Sequence, residues 1–221
     1  MVSLNKGITL LAFVIGGSAV VSGGVQAQTA ITNLFNTGVD AGGAKITASN
    51  TTTTDLHYTS TSPVFIVQNL PGAWVKSTAS NYIAPDGNDG SSFSGGVYTF
   101  TYNTSFTLPV NVDPASVVIQ GLWSTDNLGN DILINGTPTG LTSPGFTSFT
   151  GFTLPTTAFH AGTNTLGFTW SNQGGPGGLD VEFTTATFKT LPPGTPEPGV
   201  TALLAGLGVS LVGITRRRRR R

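Results

Sequence analysis

Val97-Tyr98-Thr99-Phe100-Thr101-Tyr102-Asn103-Thr104-Ser105-Phe106-Thr107 puts aromatic rings at 98, 100 and 102 and small polar side chains at 99, 101 and 103. Successive side chains of a strand point to opposite faces, so this period of two predicts a strand with one face in a core and one in water. Leu166, Phe168 and Trp170 repeat the pattern, as do Leu179, Val181 and Phe183. Further strands are expected at 64–68, 73–77, 117–123, 131–135 and 146–154, separated by the turn signals Pro71-Gly72, Asp86-Gly87, Asp113-Pro114, Asn135-Gly136 and the glycine-rich 174–178. Nothing between residues 28 and 190 sustains an apolar repeat of 3.6. The fold class that follows is all-β, an antiparallel β-sandwich of the jelly-roll kind.

Either side of this body the composition changes. Lys6 precedes an apolar stretch from Ile8 to Val21, and Val25-Gln26-Ala27 offers small residues for a peptidase, so residues 1–27 are read as a signal peptide cleaved after Ala27. The far end carries Pro196-Glu197-Pro198, an uncharged run from Gly199 to Ile214, Thr215, and then Arg216, Arg217, Arg218, Arg219, Arg220 and Arg221. Prolines keep the tripeptide extended and open to a processing enzyme. The sixteen uncharged residues make a helix of roughly 24 Å. That is short of a ~30 Å hydrocarbon core, but snorkelling arginine stems and local thinning cover the difference. The arginines stop translocation and hold the C-terminus in the cytoplasm. Expected boundaries are thus 1–27 signal peptide, 28–190 sandwich, 191–198 linker, 199–215 transmembrane helix and 216–221 cytoplasmic tail.

The chain has equal numbers of acidic and basic residues, but all six arginines lie in that tail. The body holds only Lys45, Lys76 and Lys189 against eight aspartates and Glu182. An acidic body argues against nucleic acid as a partner, and topology explains the arginine run better than nucleic-acid binding does. With no cysteine, neither disulfides nor thiolate metal sites are available, so packing must supply the stability.

Pro196-Glu197-Pro198, the Leu/Gly/Ala-rich helix and the terminal arginines together resemble the PEP-CTERM sorting signal of Gram-negative bacteria that make extracellular polysaccharide. The resemblance implies recognition and processing by an exosortase-type membrane enzyme, with the precursor in the inner membrane and the product at the cell surface or in the extracellular matrix. Within the body, Leu34-Phe35-Asn36-Thr37-Gly38-Val39-Asp40, Asp55-Leu56-His57-Tyr58, Tyr82-Ile83-Ala84-Pro85, Tyr98-Thr99-Phe100, Gly121-Leu122-Trp123 with Asp126-Asn127, and Asn135-Gly136 look like a β-sandwich of exported bacterial proteins with such tails. Asn164-Thr165-Leu166 and Gly177-Gly178-Leu179 are similar to galactose-binding-like sandwiches.

Catalysis finds little support. His57 and His160 are the only histidines and have no metal-ligand spacing, and no Gly-x-Ser-x-Gly elbow occurs. Asp180 and Glu182 share one strand face, which reads as a solvated face ahead of a catalytic pair. Asp126, Asn127, Asn130 and Asp131 crowd oxygen-bearing side chains into one loop, where ordinary Asx turns and a structural calcium are both open readings, the turns leading. Asp86, Asn88 and Asp89 form a second such loop. No other cofactor is expected. Sugar rings stack on aromatic faces; Trp123 and Trp170 sit in strand patterns and belong to the core, leaving Trp74, beside a turn, as the tryptophan expected to be exposed for glycan contact. The leading expectation is a non-catalytic structural or adhesive protein of the polysaccharide-rich envelope. A carbohydrate-binding module is the alternative, and an enzyme comes third.

Overall fold

The structure, a computed structural model, describes residues 26–88 and 95–192. The signal helix, Pro196-Glu197-Pro198, the transmembrane helix at 199–215 and Arg216 to Arg221 lie outside the described residues. No helix among the described residues is long and apolar enough to cross a membrane.

The body is all-β and antiparallel, as the alternation predicts. Ten strands are described: β1 (Thr29–Ala30), β2 (Phe65–Ile66), β3 (Ile83–Ala84), β4 (Tyr98–Leu108), β5 (Val112–Asp126), β6 (Leu128–Ile134), β7 (Thr137–Pro138), β8 (Thr150–Thr153), β9 (Gly162–Asn172) and β10 (Gly178–Thr190). One sheet runs β2-β3-β10-β5-β8, with β1 on β10; the other runs β4-β9-β6-β7. Phe100, Tyr102, Phe106, Phe168, Trp170 and Ile132 from the second sheet meet Trp123, Ile119, Val181 and Leu179 from the first in one buried core. From Phe100 onward burial alternates along β4, so Asn103, Ser105 and Thr107 stay toward solvent while Phe100, Tyr102 and Phe106 go in; Tyr98, expected on the same face, is exposed at the start of the strand beside Thr99.

Asn135-Gly136 forms the expected two-residue hairpin turn between β6 and β7, with φ of 51° and 80°. Both residues need the left-handed region that this turn type demands, which Asn tolerates and Gly adopts freely. Two expectations fail. Residues 73–77 are not a strand, because Pro71-Gly72 turns the chain so that Trp74 N–H donates to the Pro71 carbonyl at 3.1 Å. Asp113-Pro114 does not interrupt the sheet: β5 runs through it. Asp113 pairs with Lys189 and Val118 with Thr187, so the register shifts around the proline, the kind of irregularity at which a strand accepts a residue with no N–H.

The two poles of the sandwich differ. At one, β1 pairs Thr29 with Phe188, and Leu191 N–H donates to Asn111 in the β4–β5 turn, so both ends of the described body leave together. At the other lie Tyr98, Asp126, Asn172 and Gly178, the starts of β4 and β10 and the ends of β5 and β9.

Candidate functional site

The tightest-built polar region covers the outer face of the first sheet. Asp180 and Glu182 point away from the core because Leu179 and Val181 point into it. Residues 67–82, which link β2 to β3, form a strap over that face, held by Val67 N–H to the Tyr82 carbonyl and Val75 N–H to the Phe146 carbonyl, both at 2.8 Å. Beneath it Tyr82 donates to Ser124 Oγ at 2.7 Å, and Ser77 donates to Glu182 at 2.6 Å. Asp180, 1% exposed, accepts from the Thr37 hydroxyl at 3.2 Å. The expectation of a solvated face is corrected here, because an alternating pattern cannot reveal that a loop returns to cover the polar side. Burial pushes the Asp180 carboxyl up to about 7.

Trp74 belongs to this strap and is buried, 4% exposed, against Tyr82 at a ring-centroid distance of 4.3 Å. Its Nε1 donates to Asp126 Oδ2 at 2.8 Å. The expectation that Trp74 is open to a sugar is therefore corrected: a buried carboxylate is its partner, and the ring packs on Tyr82 and close to Gly178. Trp123 and Trp170 are fully buried, as their strand patterns required.

The four loop residues considered for calcium are spent on separate tasks. Asp126 is buried and holds Trp74, with burial raising its carboxyl to about 6. Asn127 Oδ1 accepts from Gln173 N–H at 2.6 Å, and Asn130 Oδ1 accepts from Ser171 at 3.4 Å. Asp131 Oδ1 accepts the backbone N–H groups of Thr139 at 3.1 Å and Gly140 at 2.8 Å, fixing the β7 return. Among the described residues no three His, Asp or Glu side chains gather as metal ligands. In the second loop Asp86 accepts from Asn88 N–H at 2.8 Å as an Asx turn does, and Asp89 lies outside the described residues. His57 stacks on Phe35 at 3.9 Å, and His160 bonds at its own turn through the Ala161 carbonyl.

A different place offers itself to a ligand. Thr59 exchanges both backbone hydrogen bonds with Asn103, at 2.9 and 2.8 Å, which docks the Thr59-Ser60-Thr61-Ser62 segment on the edge of β4. Between them runs an open groove of about 500 Å³ lined by Thr59, Ser60, Thr61, Ser62, Thr99, Phe100, Thr101 and Asn103. Six hydroxyls, one amide and one aromatic edge line it, and no ionisable side chain does. A hydroxyl both donates and accepts, so the lining suits another set of hydroxyls. Sequence reading recognised Thr99, Thr101 and Asn103 as a wet strand face but missed residues 59–62. The Thr-Ser-Thr-Ser run before Pro63 was the available signal. A smaller cleft of about 370 Å³ lies at Leu128, Gly129, Asn130, Thr142, Ser143 and Pro144.

No protein-family model and no curated protein matches the chain. Among solved structures it is similar to the CBM35 of Paenibacillus barcinonensis, with 17% identity, 59% of this chain and 94% of that one covered, and a TM-score of 0.35. It is also similar to a GH26-CBM35 β-(1,4)-mannanase of Podospora anserina, with 12% identity, 63% of this chain covered and a TM-score of 0.33; the match spans only 29% of the mannanase. A family 35 carbohydrate binding module from an environmental isolate gives 14% identity, 65% and 96% coverage and a TM-score of 0.32. At these scores the likeness assigns no role to any residue of this chain.

Proposed function

We propose that this chain is an exported, non-catalytic module that its C-terminal sorting tail delivers to the cell envelope, where the sandwich attaches to carbohydrate of the extracellular matrix. The observation that carries the carbohydrate reading is the uncharged, hydroxyl-lined groove between residues 59–62 and β4. Its lining from Thr99 to Asn103 belongs to the half of β4 farther from the pole where both ends of the body depart. A tail anchored at that pole would therefore hold the groove away from the membrane. The carbohydrate-binding names of the similar structures agree with this reading but do not carry it. Sorting by an exosortase-type enzyme rests on the order of the Pro-Glu-Pro, apolar and arginine segments in the sequence.

A glycan array probed with the full chain in detergent tests the binding. Saturable binding is expected, and Thr99→Ala with Asn103→Ala should weaken it at least tenfold, since each neutral hydrogen bond contributes about 1 kcal/mol. Silence across neutral glycans would refute the reading. Burial of all three tryptophans, which removes the usual stacking platform for sugar rings, favours a second reading: a purely structural protein with no ligand. Silence would favour that one.

A further inference from the structure

The groove continues into a longer surface. On the outer side of the second sheet, β4 and β9 pair Thr99 with Ser171, Thr101 with Thr169, Asn103 with Gly167, Ser105 with Thr165 and Thr107 with Thr163. Each of these five rows places at least one hydroxyl or amide outward from pole to pole, Ser171 itself being buried and bonded to Asn130, and the facing hydroxyls of Thr101 and Thr169 lie 3.0 Å apart. Rows two residues apart are spaced ~7 Å along the strands, so the four steps from the first row to the fifth span roughly 27 Å. Gly167 sits at its middle. A Cβ there would meet Asn103 Oδ1 at 2.9 Å and Thr101 Cγ2 at 3.3 Å, so the glycine keeps the centre flat and the neighbouring side chains closed over it.

Among the described residues, the strands of this sheet carry charge of one sign only. Asp131, paired with Thr169 on β6, is the ionisable residue beside the track. None of the three lysines of the body is on the strands of this sheet: Lys45 Nζ donates to the Ser77 carbonyl of the strap at 2.7 Å, Lys76 is the strap residue before Ser77, and Lys189 lies on β10 of the other sheet, opposite Asp113 of β5. A polyanion bound on the track would find a carboxylate and no cation to offset its own charge. A neutral polyol would find donors and acceptors at every row.

We infer that the track takes an extended, uncharged polysaccharide chain along its length, the groove at residues 59–62 and 99–103 seating one part of it. This rests on the carbohydrate reading above and adds the ligand's charge and form. Each row contributes weakly and the rows repeat, so affinity grows with chain length, as it would not for a pocket closed around one terminal sugar.

The full chain in detergent is titrated calorimetrically with linear β-1,4-glucan and β-1,4-mannan oligomers of graded length, with their soluble polymers, and with polygalacturonate and hyaluronate as anionic polymers. The neutral series should tighten roughly tenfold or more from the shortest oligomers to the polymers, with no dependence on salt. Thr107→Asp stands on an exposed position beyond the groove; it should weaken polymer binding severalfold and leave the shortest binding oligomer unaffected. Length-independent binding of neutral sugars, or equal loss of short and long ligands in Thr107→Asp, would overturn this inference and leave the carbohydrate reading standing. Preference for the polyanions would overturn it as well. Binding to none of the probes would remove both.

Discussion

Asp180 shows how much one residue's environment decides. Its carboxyl is held under the strap, and desolvation keeps it protonated up to about 7, while in the unfolded chain it ionises near 3.8. Between those values the folded state binds the extra proton, so the contribution of Asp180 is fully present below the unfolded value and is lost as pH rises through about 7. Asp126 acts in the same direction over the narrower window that ends near 6. Denaturant melts of wild type and Asp180→Asn at about pH 5 and about pH 8, either side of the folded value, measure this. Asparagine carries no charge at either pH, so the variant should gain on wild type at the higher pH by up to a few kcal/mol relative to their difference at the lower one, because each tenfold change in proton affinity is worth ~1.4 kcal/mol. An equal gap at both values would mean that the site is hydrated. None of this was visible in the sequence, where Asp180 and Glu182 look like a wet face because the covering residues lie some hundred positions away.

Among the elements, the long strands were legible and the irregular ones were not. β4, β9 and β10 declare themselves by alternating apolar with polar or small residues, threonine for the most part in β4 and β9 and Asp180 and Glu182 in β10, because each has a core on one side. The strap has no such period: its backbone bonds go to scattered partners, and its buried cluster of Val67, Trp74, Tyr82 and Ala84 is small and separate from the main core. For the same reason Trp74 was misplaced, since a tryptophan beside a turn gives no hint of a carboxylate waiting across the sheet. Trp74→Phe would keep the ring packing but leave neither oxygen of Asp126 bonded, as Oδ1 has no side-chain or backbone partner. We expect a loss of about 1–3 kcal/mol. Hydrogen exchange would localise it: the Val67 and Val75 amides should exchange faster, and those of the β4–β9 ladder should not. Uniform acceleration would show that the strap and the sandwich open as one unit.

At the scale of the whole molecule, β1 pairing with the end of β10 brings residues 29 and 188 side by side. A precursor held by a signal peptide and a membrane tail would then be tethered twice at one pole, and its sandwich could fold before either cleavage. Intact mass of the protein from its host is expected to show a species beginning at Gln28 and ending near Thr195; a cytosolic chain with both ends intact would contradict the export reading. The tail and its arginines, outside the described residues, were read from the sequence as an expectation, since apolar length and charge order are one-dimensional signals. The groove was not, because it needs Thr59 and Asn103, distant in sequence, to meet on one edge. That groove is also where the proposed function is most exposed to test. Extracellular polysaccharide extracted from the host, separated into neutral and anionic fractions, can be titrated with the full chain at low and high salt. Saturable, salt-insensitive binding to the neutral fraction that Thr99→Ala with Asn103→Ala removes is the expected result; no binding, or binding that the double variant keeps, would contradict it.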